Sequence, residues 1–155
     1  MAHEIERKLL VAALPADLDG WDAKRLEQGY LAITDEVEVR VRRKDDGDAR
    51  LTVKSSPALA RVEEELPLDA GAFERLWPLT EGRRVVKVRH TREDTPGVLM
   101  ELDVYEGALV GLATLEVEFA SEEAAAAWDP PAWAGREVTG DKAYANQSLA
   151  LYGRP

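Results

Sequence analysis

The chain has 155 residues, 45% hydrophobic and 32% charged, which is enough for one sizeable core and short for two, so a single domain over residues 1–155 is expected. Thirty acidic against twenty basic residues leave a formal net charge of −10, which repels a nucleic-acid backbone and does not favour an anionic membrane surface. The absence of cysteine excludes a disulfide framework, a thiol nucleophile and a thiolate zinc site, and His3 and His90 are too far apart in sequence to suggest a zinc cluster.

From the N-terminus, Glu4-Ile5-Glu6-Arg7-Lys8 runs into Leu9-Leu10-Val11. An extended strand puts Glu4, Glu6 and Lys8 on one face and Ile5, Arg7 and Leu9 on the other. Such a row is either a solvated strand face or a pair of oxygen ligands for a hard divalent cation, Mg²⁺ or Mn²⁺, beside a lysine for a bridged phosphate. The acidic N-terminus, with its apolar run Leu9 to Leu14 cut by Pro15, argues against a targeting segment. No apolar run approaches the roughly 20 residues that span a bilayer, so a soluble cytoplasmic protein is expected.

Residues 15–20 read as a turn-rich loop or a short frayed helix ending at Gly20, and 24–33 as a strand weakened or bulged at Gly29, with Tyr30 just beyond. The cleanest strand signal is 36–44, where Val37, Val39 and Val41 alternate with Glu36, Glu38, Arg40 and Arg42. Asp45-Asp46-Gly47-Asp48 supplies a hairpin turn into 50–54, where Leu51 and Val53 oppose Thr52 and Lys54. After a break at Ser55-Ser56-Pro57, residues 61–66 resume with Glu63 and Glu65 on one face. Asp69 caps a helix expected to reach about Leu79. Strands follow at 83–92, with Lys87 and Arg89 on one face, at 98–106, with Glu101, Asp103 and Tyr105, and at 114–119, with Glu116 and Glu118. Ser121 caps an alanine-rich helix through Trp128, the stretch from Trp133 to Gly140 reads as a connecting loop, and Asp141 starts a last helix reaching Leu151.

About eight strands, linked mostly as antiparallel hairpins, with two to three helices predict a mainly β (α+β) fold, an eight-stranded antiparallel closed β-barrel with the helices packed outside. A generic sheet would bury its valines and leave the charges in water. Two features favour charges lining the inside. Carboxylate pairs at Glu4/Glu6, Glu63/Glu65, Glu101/Asp103 and Glu116/Glu118 and cation pairs at Arg40/Arg42 and Lys87/Arg89 are sorted by strand, where a surface shaped only by solubility mixes signs. Arg and Lys pairs at period two also make a rail of donors for consecutive phosphoryl groups, and Glu pairs on other strands can hold the metals that neutralise phosphate oxygens. The apolar outer face is then left for the helices to cover, with a homodimer partner as a second candidate cover.

Glu4-Ile-Glu-Arg-Lys8 resembles the Glu-x-Glu-x-Lys signature of the CYTH, or triphosphate tunnel metalloenzyme, superfamily. The likeness continues through Gln28-Gly-Tyr-Leu31, Glu38-Val-Arg-Val-Arg42, Leu51-Thr-Val-Lys54, Glu81-Gly-Arg-Arg84 with Lys87, Glu101-Leu-Asp103, Glu116-Val-Glu118 and Asp141-Lys142, in the order expected of the short bacterial members. The resemblance implies a tunnel that binds triphosphate compounds with Mg²⁺ or Mn²⁺. It implies Glu4, Glu6, Glu116 and Glu118 as metal-binding carboxylates and Lys8, Arg40, Arg42, Lys54, Lys87 and Arg89 as phosphate-binding cations. Asp103, Glu63 and Glu65 fit second-metal or supporting roles, and Lys142 fits a supporting phosphate contact.

Members of this superfamily split triphosphate, thiamine triphosphate or the 5′ triphosphate of RNA, and some cyclise ATP. Trp77, Trp128 and Trp133 read as packing residues, which leaves Trp21 as the only early candidate for an aromatic platform. A compact chain without insertions therefore fits the simplest substrate, tripolyphosphate, cleaved to pyrophosphate and phosphate. Lys87 is expected to be the general base, oriented by Tyr30, with an alkaline activity optimum. The other reading makes Lys87 a phosphate clamp and leaves activation of the water to the metal. Thiamine triphosphatase, adenylate cyclase of the superfamily's small class and a non-catalytic triphosphate or polyphosphate sensor are the alternatives.

Overall fold

Period-two alternation becomes one antiparallel sheet in the structure, a computed structural model that describes residues 5–55 and 62–155. In chain order the elements are β1 (Ile5–Val11), β2 (Asp22–Ile33), β3 (Val37–Lys44), β4 (Ala49–Ser55), β5 (Glu63–Leu68), α1 (Ala70–Leu76), β6 (Arg84–Thr95), β7 (Val98–Tyr105), β8 (Ala113–Phe119), α2 (Glu122–Ala127), β9 (Ala134–Glu137) and α3 (Asn146–Tyr152). Glu4, the break at Ser56-Pro57 and the strand start expected at Arg61 lie outside the described residues.

Helices α1 and α2 start where their caps predict. The Asp69 carboxylate accepts from the Ala72 N–H at 2.7 Å, and the Ser121 hydroxyl accepts from the Ala124 N–H at 3.1 Å. α1 gives way to a 3-10 turn, Trp77–Thr80, at Pro78. The single last helix expected from Asp141 is divided: Asp141 caps a 3-10 turn, Lys142–Tyr144, Ala145 is extended, and α3 begins only at Asn146.

The strands pair in the order β5-β4-β3-β2-β6-β7-β8-β1-β9. The closed eight-stranded barrel is therefore corrected to an open sheet of nine strands among the described residues. Closure needs the outer edge of β1 to meet β5, but β9 takes that edge, pairing Glu137 with Leu9 and Ala134 with Val11. At the other border β5 is exposed from Glu63 to Pro67, and its charges and proline suit an unpaired edge. β9 falls where a connecting loop was expected, because four residues with a glycine among them carry almost no alternation signal.

The two faces of the sheet differ in chemistry. On one, Met100, Leu102, Leu115, Val117 and Phe119 pack beneath α2 with Trp21 and Trp128, while Val41 and Ala49 pack beneath Phe73 of α1. Full burial of each large apolar side chain contributes roughly 1.5–3 kcal/mol. The sorted charges occupy the other face. There α3 packs on β2 and β6, and an apolar cluster of Tyr30, Val85, Tyr105, Tyr144 and Leu149 fills one end. Helices α1 and α2 thus cover the apolar face as expected, whereas α3 lies on the ionic one.

One glycine fixes how β2 meets its cover. A Cβ on Gly29 would lie 2.5 Å from the Thr80 side chain, so only glycine lets the 3-10 turn after α1 sit directly on the strand. The register of β2 on β3 shifts just beyond it, between Tyr30 and Ala32.

Candidate active site

Residues directly opposite in an antiparallel pair project from the same face. Lys54 opposes Glu38, Arg40 opposes Tyr30, Arg42 opposes Gln28 and Lys87 opposes Leu26. The sequence of opposites continues with Arg89 and Asp103, Glu101 and Glu116, Glu116 and Lys8, and Glu118 and Glu6. One face therefore gathers these groups, with cations concentrated on β3, β4 and β6 and carboxylates on β7, β8 and β1. Glu63 and Glu65 share the face through Lys54 and Thr52, but on the exposed edge strand next to the cations. Lys142 is exposed in its 3-10 turn.

Arg40, Arg42, Lys87 and Arg89 line a cavity of about 140 Å³ together with Leu26, Gln28, Val85 and Asn146, so half of its lining residues are cationic and suit a polyanion. Lys87 is 5% exposed, and its ammonium lies 2.8 Å from Asp103 Oδ2 and donates to Asn146 Oδ1 at 3.4 Å. Arg89 meets Asp103 through Nε and Nη2 at 2.9 and 3.0 Å and Glu101 through Nη1 at 2.8 Å. Burial alone would raise the Asp103 carboxyl, but these two cations outweigh it and hold it below the ordinary carboxylate range. Arg40 pairs with Glu38 at 2.9 Å, and Gln147 of α3 donates to Glu38 at 3.3 Å. Among the described residues Arg42 and Lys54 have no ion-pair partner, so their charge is available to a ligand.

On the carboxylate side like charges are directly opposed, Glu6 with Glu118 and Glu101 with Glu116. That arrangement is destabilising unless a cation comes between them. Lys8 supplies part of the relief: its Nζ lies 3.5 Å from Glu116 Oε1 and donates to the Tyr144 carbonyl at 2.7 Å. Burial pushes the Glu101 carboxyl above its ordinary value; Arg89 opposes that shift, and Glu116, Asp103 and Glu118 add to it. An all-oxygen donor set with surplus negative charge fits a hard cation such as Mg²⁺ or Mn²⁺. Among the described residues no three such groups already converge on one point.

Tyr30 is 1% exposed and its hydroxyl accepts from Gln28 Nε2 at 3.0 Å. Burial first, then the Glu38 charge, push this phenol up to about 12, so it keeps its proton at neutral pH. The groups that hold Lys87 here are Asp103 and Asn146, not assigned that task from sequence. Asn146 and Gln147 carried no signal of their own, since only the packing of α3 brings them over Lys87 and Glu38. Glu101 was visible as one member of a period-two pair. Trp21, the early platform candidate, is 6% exposed and packs edge-on against Trp133 on the apolar face.

A cavity half lined by cations, beside opposed carboxylates on one face of an antiparallel sheet, is an arrangement that suits a polyanion together with a hard cation. A CYTH domain model matches residues 2–142, and the chain belongs to the CYTH family. It is 50% identical over 150 residues to the inorganic triphosphatase of Nitrosomonas europaea, covering 96% of this chain and 97% of that protein. It is 36% identical over 153 residues to the inorganic triphosphatase of Acetivibrio thermocellus, covering 96% and 94%. The crystal structure of an inorganic triphosphatase superposes with a TM-score of 0.86 at 46% identity, across 100% of this chain and 99% of that one. A Hippeastrum adenylyl cyclase-like protein with a dominant triphosphatase activity, 18% identical with a TM-score of 0.52 over 80% of this chain and 83% of that one, shares the fold alone. No helix among the described residues is long and apolar enough to cross a membrane.

Proposed function

We propose that the protein is an inorganic triphosphatase that hydrolyses tripolyphosphate to pyrophosphate and phosphate with the help of Mg²⁺ or Mn²⁺. The observation that carries this reading is the cation-lined cavity next to opposed carboxylates on a single face. Two inorganic triphosphatases at 50% and 36% identity support the choice of substrate. Tripolyphosphate carries on the order of four to five negative charges at neutral pH. Arg42 and Lys54, which have no ion-pair partner among the described residues, meet it directly, and Arg40 and Lys8 reach it from their carboxylate partners.

Glu6, Glu116 and Glu118, joined by Glu4 as the sequence pattern implies, would hold the divalent cation. Bound there, it would polarise phosphoryl oxygens and neutralise their charge. The chain's own part is to bind and orient. Fixed guanidinium and ammonium groups face the charge that develops as the anhydride bond breaks, and they need no rearrangement at that moment. Lys87 serves first as a clamp. As a base it would have to present a neutral amine 2.8 Å from the Asp103 carboxylate, whereas a clamp keeps its proton. Tyr30 presents a protonated phenol beside Arg40.

Phosphate release from tripolyphosphate, thiamine triphosphate and ATP, each with Mg²⁺, Mn²⁺ or a chelator, tests the reading. Tripolyphosphate should be preferred by about 100-fold or more in kcat/KM, with turnover lost in chelator. Tight binding without turnover under every metal would replace the enzyme by a sensor. Lys87→Ala in the same assay should raise KM more than it lowers kcat; the opposite split restores Lys87 as general base.

A further inference from the structure

We infer that Asp103 is a positioning residue and not a metal ligand: it fixes Lys87 and Arg89 in the cation row and marks where that row ends and the carboxylate row begins. The inference rests on the triphosphatase reading for its kinetic consequence, but its geometry stands apart from it.

Asp103 is 1% exposed and directly opposes Arg89 on β6 and Thr114 on β8. Both of its oxygens are engaged. Oδ1 accepts from Arg89 Nε at 2.9 Å, and Oδ2 accepts from Arg89 Nη2 at 3.0 Å and from Lys87 Nζ at 2.8 Å. A carboxylate offers about four lone-pair sites, so three are taken by charge-assisted donors. A divalent cation arriving at the fourth would meet an ammonium and a guanidinium at close range. Glu6 and Glu118, on β1 and β8, instead stand directly opposite each other, carboxylate across from carboxylate. The shared counter-ion also lets Lys87 and Arg89 project side by side from β6 without repelling each other apart. Both line the polyanion cavity, so what Asp103 supplies there is direction and not attraction.

The Asp103→Asn variant separates these roles, because it keeps the shape and removes the charge. Turnover of tripolyphosphate should fall about 100-fold through loss of alignment. KM should stay level or drop, since a negative charge has gone from beside the cavity. Mn²⁺ affinity, followed by the electron paramagnetic resonance of the free ion without substrate, should stay within about twofold of wild type. Glu116→Gln should weaken it by about tenfold or more. The Arg89 Nε–H proton should exchange with solvent about tenfold faster in Asp103→Asn, a readout of position that needs no catalysis.

A loss of Mn²⁺ affinity in Asp103→Asn would make Asp103 a ligand and overturn the inference, as would an unchanged kcat in an active enzyme. Should the variant fail to fold, wild-type protein with ¹³C-labelled carboxyls decides: Mg²⁺ should shift Glu116 and Glu118 and leave Asp103 in place, and an equal shift at Asp103 overturns the inference. If wild type does not turn over tripolyphosphate, the proposed function falls alone, because Mn²⁺ affinity and Arg89 exchange still judge Asp103.

Discussion

Two phenols buried on the ionic face set an alkaline limit for the fold. Tyr30 and Tyr105 are 1% and 2% exposed, and burial more than any neighbour pushes each from an ordinary 10 up to about 12. The unfolded chain then releases these protons first. Their stabilising contribution is complete below pH 10 and is lost as pH rises through about 12. For each ring the gap corresponds to roughly 2–3 kcal/mol once both values are passed. The stability difference between wild type and Tyr30→Phe, measured by urea unfolding, should move in the variant's favour by roughly 1–1.5 kcal/mol from pH 9 to pH 11. A difference that stays constant would mean that Tyr30 ionises as an exposed phenol does. The placement of such residues was legible at this scale because alternation assigns each strand residue a face, which put Arg40, Lys87 and Glu116 together. Their partners were not legible: that Lys87 would meet Asp103, or Tyr30 meet Gln28, depends on strand register and side-chain reach, which no single stretch of sequence encodes.

Among the elements, β9 shows how much of a short strand's hold comes from side chains. Arg7 of β1 reaches Glu137 at 2.6 Å and donates to the carbonyls of Ala125 and Trp128 at 2.9 and 3.0 Å, so one guanidinium ties β9 and the end of α2 to β1. Its ion pair is partly exposed and worth at most about 1 kcal/mol, so the two carbonyls left without a donor matter as much. Arg7→Ala should release this edge locally. Amide exchange at Val138, whose N–H donates to the Lys8 carbonyl at 2.8 Å, should accelerate about tenfold while the β6–β7 amides keep their protection. Equal acceleration at both places would show that Arg7 supports the whole fold. Long strands such as β3 announced themselves through their valines; β9 did not, and the expected closure failed with it. Hairpin order states which strands are neighbours in sequence but not which strand takes the last free edge, and here Ala134–Glu137 took the edge that a barrel would have used.

Taken as a whole, the molecule is unevenly charged in a way its net charge of −10 conceals. Its ionic face divides into a cation half, partly neutralised by Glu38 and Asp103, and a carboxylate half in which Glu6 opposes Glu118 and Glu101 opposes Glu116. Monovalent salt screens all of these charges alike, with a Debye length of about 10 Å at 0.1 M. A divalent cation acts differently if it binds between opposed carboxylates, because binding to the folded state alone stabilises it by about 2.7 kcal/mol at a hundredfold excess over Kd. For a chain of this size that predicts a Tm rise of roughly 5–10 °C in saturating Mg²⁺ over NaCl of equal ionic strength. Glu116→Gln should lose most of this excess while responding normally to NaCl. Should Mg²⁺ and NaCl raise Tm equally in differential scanning calorimetry, the opposed carboxylates would be a tolerated repulsion, and the division of the face would serve the polyanion alone.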